Sequence, residues 1–472
     1  MPLHRVLPIL AIMFLAGFPA GARARGGFGG APALGGPGIP GGIAVPSGGF
    51  GPGGPFGLGG PALGTGLGPR HGGVSSSIQG AASAINHLAT LPSQAANAIS
   101  RNVLRDQVGR PTDPVIISEV LAHDRRGNEI VRNEVIAISP MSADLAIAKR
   151  LHFKILRRDR LSALGLVSIT LRAPRDMTTI TALALLRRAD PAGNFDYSSI
   201  YNPAGSAVSF ASSEVQPSLV QARHITLGMI DGGIDRRHPS LIRSHIAVRS
   251  FSGDGKSPPT QHGTAIASLL VGHGKEFSGY LPGASLYAAD VYGGAVDGGS
   301  AVDIARALNW LAKNGIAVTN VSLAGPPNRL LAAAVQAFIE TGHILVAAAG
   351  NDGPAAPPNY PAAYPGVICV TSVDADRHFE LDANRNHCRF AALGVDVRAA
   401  RFPKGYGKFT GTSYATPVVT ANVARLVPKP DRTNLRQLHS LLLREATIIT
   451  DPKARSLYIL PPPSQGARSN SN

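Results

Sequence analysis

Cysteine and tryptophan are scarce in this sequence. Its 472 residues contain two cysteines, Cys369 and Cys388, and one tryptophan, and aromatic residues make up 6% of the chain. So few cysteines exclude a small scaffold held by several disulfides, and no further ligands stand beside them at the spacing of a zinc site. The pair can form one disulfide, as in exported chains, or remain two buried thiols, because Cys369 lies in an apolar strand pattern. The sequence leaves both interpretations open.

Long apolar runs are absent too. Residues 6–18 are apolar but too few to cross a bilayer, and no later segment is long and apolar enough to do so. With Arg5 before them and a small-x-small motif that ends at Ala24, they form the pattern of a secretory signal peptide over residues 1–24. We therefore expect bacterial-type export, to a secreted or periplasmic location, and no membrane span.

Acidic residues are fewer than basic ones. Asp and Glu number 29 against 45 Lys and Arg, which gives a net charge of +16. Such an excess can indicate a nucleic-acid partner. Here the basic residues are spread along the chain with acidic residues between them, and no cluster combines aromatic and basic side chains. The sequence therefore argues against nucleic-acid binding.

Composition divides the remaining chain into four regions. Residues 25–110 are rich in Gly and Pro, then in Ala and Ser, and we expect them to be flexible because they cannot bury enough surface to offset their ordering entropy. Residues 111–205 show the order β-α-β-β-α-β, which predicts a small ferredoxin-like α/β domain. Residues 206–450 form a larger α/β region. Residues 451–472 contain a proline run and a Ser/Asn-rich end, and we expect them to be disordered.

Apolar strands and helices alternate in the larger region. The predicted strands cover residues 225–230, 285–292, 317–323, 344–349 and 367–373, and the predicted helices cover 300–314 and 330–341. Gly315 and Gly342 follow the two helices, as is typical of helix C-termini. This alternation predicts a doubly wound parallel sheet with helices on both faces. Sites in such sheets form at the carboxyl ends of the strands.

One serine has the setting of a nucleophile. Ser413 follows a Gly-Thr turn and opens an apolar run that predicts a helix. A helix that begins at a serine directs free N–H groups and a partial positive charge at the atoms that react with its hydroxyl, which suits a reaction that forms an oxyanion. A serine at this place is also an ordinary N-cap residue. The motif alone leaves both interpretations open.

Three further polar residues fall at the ends of predicted elements. Asp231 ends a strand and could orient an imidazole, His262 leads an apolar helix and could act as a general base, and Asn351 follows a buried strand and could donate to an oxyanion. Each has an ordinary alternative, as a turn residue, a packed histidine or a turn amide. Together with Ser413 they give the order Asp, His, Asn, Ser, one at each element end.

This order and the surrounding motifs resemble the subtilisin-like serine proteases, the subtilases. The matching motifs, within about residues 216–428, are Met229-Ile-Asp-Gly-Gly-Ile234, His262-Gly-Thr264, Asn320-Val-Ser-Leu-Ala-Gly-Pro326, Ala348-Ala-Gly-Asn351 and Gly411-Thr-Ser-Tyr-Ala-Thr-Pro417. The fold class expected is α/β, a subtilisin-like doubly wound parallel sheet preceded by a small ferredoxin-like prodomain. An α/β-hydrolase esterase does not fit, because that fold places its serine before the acid and the histidine.

The resemblance implies roles for individual residues. Asp231, His262 and Ser413 would form the catalytic triad, and Asn351 would supply the side-chain half of the oxyanion hole. Two edge strands would bind a polypeptide substrate by strand addition, one formed by Ser322, Leu323 and Ala324 and the other by Ala348, Ala349 and Gly350. Such a triad needs no metal or organic cofactor.

The resemblance also implies that residues 111–205 are a propeptide that acts in cis on the same chain. Self-cleavage would then fall between Ala204 and Gln216. The alternative for these residues is an independent accessory domain. A different alternative for the whole chain is a subtilase-like domain kept as a binding module, tethered by its Gly-rich segment.

Five positions depart from the family's usual pattern. Ala265 replaces a second histidine, with little effect expected. Gly232 stands in place of Ser or Thr, so a hydrogen bond beside Asp231 is expected to be missing. Ser240 replaces a common calcium ligand, which puts a calcium site in doubt. Asn359 replaces a small residue at the floor of the specificity pocket, so we expect a smaller or more polar pocket. Tyr414 replaces the methionine beside the nucleophile and removes an oxidation-sensitive thioether.

Overall fold

The computed structural model describes residues 106–207, 222, 224–253, 255–450 and 456–463. The predicted signal peptide and most of the Gly-rich segment lie outside these residues. Within the described part of the chain, no helix is long and apolar enough to cross a membrane.

The first part of the described chain is a small α/β domain. Its elements are α1 (Pro114–Val120), β1 (Leu121–His123), β2 (Glu129–Ile138), α2 (Ser142–Arg150), β3 (Lys154–Leu161), β4 (Leu166–Arg172), α3 (Thr179–Ala189) and β5 (Phe195–Ser199). From β2 to β5 the chain follows the predicted order β-α-β-β-α-β. The sheet order is β1-β2-β4-β3, β5 also pairs with β2, and all of these pairings are antiparallel.

Helix α3 shows how the sequence builds this domain. The Thr178 side chain accepts a hydrogen bond from Thr181 N and caps the first turn. Ala182, Leu183 and Leu186 recur at helical spacing and are buried. They pack against Val135 and Phe195 of the sheet and complete a core that is separate from those of the larger domain.

The larger domain, together with the segment 202–207 that leads into it, contains most of the remaining described chain. Its elements are β6 (Asn202–Pro203), β7 (Ser206–Ala207), β8 (Thr226–Asp231), β9 (His245–Ser250), α4 (Gln261–Val271), β10 (Ser285–Asp290), α5 (Ala301–Lys313), β11 (Val318–Val321), β12 (Leu323–Ala324), α6 (Arg329–Glu340), β13 (Ile344–Ala348), β14 (Ile368–Val373), β15 (Phe390–Leu393), β16 (Val397–Ala400), β17 (Tyr406–Thr410), α7 (Thr412–Leu426), α8 (Asn434–Glu445), β18 (Thr447–Thr450) and β19 (Ser456–Ile459).

A nine-stranded sheet forms the centre of this domain. The strand order is β18-β19-β15-β14-β13-β11-β8-β10-β9, and every pairing except β18 with β19 is parallel. Helices α4 and α7 pack in the core on one face, and α5 and α6 pack in the core on the other. The predicted doubly wound parallel sheet is confirmed. Because the strands run in parallel, Asp231 at the end of β8 and the residues after β13 meet at one edge.

Helices α5 and α6 begin and end where the sequence predicts. Ser300 caps α5 by accepting from Asp303 N, and Asn328 caps α6 by accepting from Leu330 N and Leu331 N. Gly315 and Gly342 follow the helices with φ of 65° and 92°. This left-handed conformation costs glycine little and ends a helix.

The small domain lies against α5 and α6. Asn309 of α5 accepts a hydrogen bond from Ala163 N at 2.9 Å, and Arg306 forms an ion pair with Asp159 at 3.3 Å. At the start of α6, Arg329 N donates to an Asp196 carboxylate oxygen at 2.7 Å. The Asp196 carboxylate therefore satisfies a free N–H at the positive end of that helix.

The end of the chain differs from the prediction of disorder. Ser456–Ile459 form β19, which pairs with β15 and β18. Leu457, Ile459 and Leu460 are buried, with 1%, 8% and 1% of their surfaces exposed. These apolar side chains add to the core. The composition of the region does not reveal them, because prolines and polar residues surround them. The prediction was wrong for this strand, and residues 451–455 and 464–472 lie outside the described part.

The two cysteines form a disulfide. Cys369 of β14 is bonded to Cys388, which precedes β15, and their Cα atoms are 4.7 Å apart. Of the two interpretations left open by the sequence, the structure shows the disulfide. It closes a loop between two neighbouring strands of the central sheet.

We expect the Cys369→Ala, Cys388→Ala double substitution to lower the free energy of unfolding by about 3 kcal/mol, because the bond constrains a loop with a sequence separation of 19. Denaturant unfolding of protein that also carries Ser413→Ala would measure this without self-digestion. The same protein with both cysteines intact is the control, and equal unfolding midpoints would contradict the expectation.

Candidate active site

Asp231 and His262 form a buried pair. Asp231 ends β8, and His262 is the second residue of α4. His262 Nδ1 lies 2.8 Å and 3.0 Å from the two Asp231 carboxylate oxygens, and both side chains are at most 1% exposed. A carboxylate that accepts from Nδ1 leaves Nε2 with its lone pair free and stabilises the imidazole when it becomes charged. This geometry would allow His262 to accept a proton at Nε2.

The other ring nitrogen of His262 is available for a proton. Its Nε2 is buried and has no hydrogen-bond partner among the described residues. The ring of Tyr414 lies beside the imidazole, with 5.7 Å between the ring centres. A buried acceptor without a partner is costly, so a hydroxyl that reaches Nε2 would be bound favourably.

Ser413 lies in the first turn of α7. The helix follows Gly411, whose φ of 140° disfavours other residues. The Ser413 hydroxyl is buried and donates to the Ser322 carbonyl at 2.9 Å. The Ser322 hydroxyl in turn donates to the Ser413 carbonyl at 3.1 Å and accepts from Asn320 Nδ2 at 2.9 Å. The start of α7 is therefore bound to the strand edge beside it at two points.

Asn351 is oriented by the same helix start. Its Oδ1 accepts from Thr412 N at 3.1 Å, and the Thr412 hydroxyl accepts from Gly350 N at 3.1 Å. The bond from Thr412 N fixes which end of the amide is Oδ1, so Nδ2 faces Gly411. A Cβ on Gly411 would lie 2.6 Å from Asn351 Nδ2 and 3.1 Å from the Ala204 carbonyl oxygen. The amide and that carbonyl are therefore close neighbours.

A segment of the chain itself occupies the cleft. Ser413 N donates to the Ala204 carbonyl at 2.7 Å, and Ala204 N donates to the Ser322 carbonyl at 3.2 Å. Strand β6 pairs antiparallel with β12, with Asn202 opposite Ala324. Beyond Gly205, β7 pairs antiparallel with β17. The segment 202–207 crosses the Ser413 site in the extended conformation of a bound substrate.

The edges that bind this segment differ in part from the predicted pair. One predicted edge, formed by Ser322, Leu323 and Ala324, does pair with this segment. That it binds a substrate in the same way stays a prediction. Tyr201 N donates to the Gly299 carbonyl at 2.9 Å, and Ile200 bridges to Ser300, so the opposite edge is the turn before α5.

Residues Ala348, Ala349 and Gly350 do not provide that opposite edge. Strand β13 is paired on both sides within the sheet, to β11 and β14. Ala349 N donates to the Val370 carbonyl, and Gly350 N donates to Thr412. An interior strand has no free backbone groups to add a substrate strand. The edge at Gly299 and Ser300 lies in a Gly-rich turn with no strand pattern in the sequence, which is why it was missed.

A pocket of about 820 Å³ lies beside Ala204, and its lining includes Ala324, Gly350, Asp352 and Asn359. Asn359 Nδ2 donates to the Asp352 carboxylate at 2.6 Å. A Cβ on Gly350 would lie 2.2 Å from Asn359 Nδ2, so the amide lies against the Gly350 backbone. Asn359 lines this pocket, and Asp352 is a polar partner that the sequence did not reveal. That Asn359 forms the floor of a specificity pocket stays a prediction.

Gly232, one of the departures from the family pattern, has a local explanation. A Cβ on Gly232 would lie 2.6 Å from the Thr260 hydroxyl, so Thr260 fills that space. This hydroxyl donates to the Gly233 carbonyl and accepts from Gly263 N. Asp231 does receive a bond from Gly232 N at 2.7 Å. The Gly232 N–H therefore supplies one of the hydrogen bonds to Asp231, in a position where no side-chain hydroxyl is present.

Ser240 is fully buried and its hydroxyl lies 2.8 Å from His238 Nδ1. Its oxygen is thus already engaged with a histidine. In the described ranges there is no group of three or more His, Cys, Asp or Glu side chains suited to a metal ion. That catalysis needs no cofactor stays a prediction.

Residues 106–110 contact the site, although the sequence predicted a flexible segment through residue 110. His262 N donates to the Gln107 carbonyl at 3.0 Å, and Gln107 Nε2 donates to the Gly205 carbonyl at 2.7 Å. Arg110 donates to the Asn202 side chain at 2.7 Å, and Val108 is buried. Composition could not reveal these contacts, because Gln107 and Gly205 are 98 positions apart.

Comparison with known proteins gives the family. The Subtilase family (Peptidase_S8) matches residues 222–464, more than half of the chain. The chain is similar to the major intracellular serine protease of Bacillus subtilis (strain 168), with 31% identity over 233 residues that cover 46% of this chain and 73% of that protein. It is also similar to subtilisin DY of Bacillus licheniformis, with 29% identity over 257 residues, 50% of this chain and 89% of that one.

A solved structure shows the same fold. Fervidolysin from Fervidobacterium pennivorans, described as a keratinolytic enzyme related to subtilisin, superposes with a TM-score of 0.58 and 20% identity. The match covers 73% of this chain and 63% of fervidolysin. The family match, the relatives and the common fold agree with the buried Asp231–His262 pair and the Ser413 helix. The chain belongs to the subtilase family of serine proteases.

Proposed function

We propose that this protein is an exported serine endopeptidase whose triad is Asp231, His262 and Ser413, and that it matures by cutting itself after residue 204. One observation supports this most strongly. The Ala204 carbonyl accepts from Ser413 N at 2.7 Å, which is where an oxyanion would form if Ser413 attacked that carbonyl. The buried Asp231–His262 pair lies beside the same serine.

The reaction would proceed through an acyl-enzyme. His262 Nε2 removes the hydroxyl proton of Ser413 as Oγ attacks the carbonyl carbon, and Asp231 stabilises the charged imidazole. Ser413 N and Asn351 Nδ2 donate to the oxyanion. The imidazole then gives its proton to the leaving amine, and the C–N bond breaks. Water attacks the ester by the same route and restores the Ser413 hydroxyl.

The Ser413 hydroxyl must turn before it can react. In the uncut chain it donates to the Ser322 carbonyl at 2.9 Å. The Ser322 carbonyl also accepts from Ala204 N at 3.2 Å, so it keeps a hydrogen-bond partner when the Ser413 hydroxyl turns away. His262 Nε2 then gains that hydroxyl as its hydrogen-bond donor. The exchange therefore leaves no polar atom of this group without a hydrogen bond.

The small domain would act as a propeptide. It lies on α5 and α6 through Asn309, Arg306 and Asp196, and the residues that follow it fill the cleft. A chain bound in this way blocks access to other substrates until it is cut and released. Residues 111–204 therefore have both the position and the contacts of an inhibitory domain held in cis.

Export rests on residues 1–24 and on the disulfide, which is typical of oxidising compartments. The relatives include one protease named intracellular and another named extracellular, so they do not decide the location. Fractionation of cells that express the full chain would test it, with the protein expected in the medium or periplasm.

We expect Ser413→Ala to abolish labelling by a fluorophosphonate and hydrolysis of casein, since the nucleophile is removed. Asp231→Asn should lower kcat by about 10⁴-fold because His262 would lose its charge partner. Asp376→Asn is the matched control on an exposed aspartate. Equal labelling of the wild type and Ser413→Ala would contradict the triad and favour a binding module.

We expect the released amino-terminal fragment to end at Ala204, because its carbonyl occupies the oxyanion position. Intact mass and carboxyl-terminal sequencing of that fragment would measure this without interference from later trimming of the new amino terminus. Ser413→Ala protein should remain one chain. A fragment that ends at any other residue would contradict the assigned bond.

We expect Asn359→Gly to raise kcat/KM for peptides with Phe before the cut bond about 10-fold relative to those with Ala. The substitution removes the amide that lies against Gly350 and opens the pocket. Asn359→Gln keeps an amide there and serves as control. Cleavage profiling of the mature enzyme gives the ratio, and an unchanged ratio would show that Asn359 does not limit the pocket.

A further inference from the structure

We propose that the cleft selects a tyrosine as the fourth residue before the cut bond and a glycine as the first residue after it. The proposal rests on the proposed function and deepens it, since it names the class of peptide that the site accepts. The two selected positions correspond to Tyr201 and Gly205 of the segment in the cleft. Each is explained by contacts with the larger domain.

The Tyr201 ring lies in a closed site. It is completely buried, and its hydroxyl donates to the Pro326 carbonyl at 2.7 Å. Its backbone is held as well, because its N–H donates to Gly299 and its carbonyl accepts from the Tyr292 hydroxyl at 3.1 Å. All of these partners belong to the larger domain. A peptide bound in trans would therefore meet the same groups.

Gly325 makes room for this ring. A Cβ on Gly325 would lie 2.6 Å from Tyr201 Cδ1 and 3.0 Å from the Ile200 carbonyl. Gly325 is also fixed, because it exchanges two backbone hydrogen bonds with Tyr360 at 2.9 Å each. The site therefore admits an aromatic ring and offers an acceptor to its hydroxyl. A phenylalanine would fill the space but leave the Pro326 carbonyl without that donor.

Gly205 lies directly against the ring of Tyr414. A Cβ on Gly205 would lie 2.7 Å from Tyr414 Cε2 and 3.3 Å from Ser413 Cβ. The Tyr414 ring is completely buried and stacks on Phe409, with 5.2 Å between ring centres. The His262 ring lies beside it, with 5.7 Å between the ring centres. Because the ring cannot move aside in a packed core, any side chain after the cut bond would overlap it. Tyr414 is thus a specificity-determining residue.

The sequence contains one place that satisfies both conditions. Of its ten tyrosines, only Tyr201 is followed four positions later by a glycine. An enzyme with this selectivity would cut its own chain at Ala204–Gly205 and leave its other tyrosines untouched. The expected substrates are extended polypeptides with the pattern Tyr-Xaa-Xaa-Ala-Gly.

Peptides test the selectivity of the mature enzyme directly. We expect Tyr-Asn-Pro-Ala-Gly-Ser-Ala to be cleaved with a kcat/KM at least about 10-fold above that of the peptide with Ala in place of Gly, because of the overlap with Tyr414. Phe in place of Tyr should cost about 10-fold. Equal rates for Gly and Ala, or for Tyr and Phe, would overturn the corresponding half of the proposal.

Enzyme variants assign each preference to a residue. Tyr414→Met should reduce the preference for Gly over Ala to near one, whereas the matched control Tyr414→Phe keeps the ring and should retain the preference. Gly325→Ala should remove the preference for Tyr over Leu. A Gly preference that survives Tyr414→Met would contradict the role of Tyr414.

A readout without catalysis separates this proposal from the proposed function. In full-length Ser413→Ala protein, which is not expected to cut itself, Gly205→Ala should lower the midpoint of thermal unfolding by about 3 °C or more. Adding Tyr414→Met should restore it, and adding Tyr414→Phe should not. An unchanged midpoint with Gly205→Ala would contradict the overlap. Wild-type protein that fails to label with a fluorophosphonate would count against the protease function alone.

Discussion

The hydrogen bond from Ser413 N to the Ala204 carbonyl determines how the whole cleft is arranged. It fixes one carbonyl at the start of α7, where the first N–H groups have no partner within the helix and bond to groups outside it. With that carbonyl in place, the chain before it pairs with β12, and the chain after it pairs with β17. The small domain, which this segment joins to the larger domain, contacts α5 and α6 directly.

A buried polar network supports this arrangement. The Thr420 hydroxyl donates to Asn320 Oδ1 at 2.9 Å, Asn320 Nδ2 donates to the Ser322 hydroxyl, and that hydroxyl donates to the Ser413 carbonyl. The network joins the middle of α7, a strand of the central sheet and the substrate edge. Because each of these bonds is shielded from water, loss of one partner would leave another without a hydrogen bond. Its members hold Ser413 and the edge that pairs with residues 202–204 in one arrangement.

The sequence predicted what depends on local pattern. The parallel sheet follows from apolar strands that alternate with helices, and the helix ends follow from Gly315 and Gly342. The positions of Asp231, His262, Asn351 and Ser413 follow from motifs at the ends of these elements. Strand β19 was missed because three buried apolar residues in a polar tail do not form a recognisable strand pattern.

Contacts between distant parts of the chain could not be predicted. The second edge of the cleft, at Gly299 and Ser300, pairs with Ile200 and Tyr201 through backbone groups. Every residue carries such groups, so side-chain patterns do not mark this edge. Gln107 reaches Gly205 only because the fold brings the two together. The partnership of Asp352 with Asn359 similarly depends on how a loop turns back on itself.

A crystal structure of the uncut chain carrying Ser413→Ala would show whether residues 202–207 occupy the cleft. We expect continuous density for residues 200–207 along β12, with the Ala204 carbonyl within hydrogen-bond distance of the backbone N–H at position 413. A cleft that is empty, or filled by another segment of the chain, would contradict it.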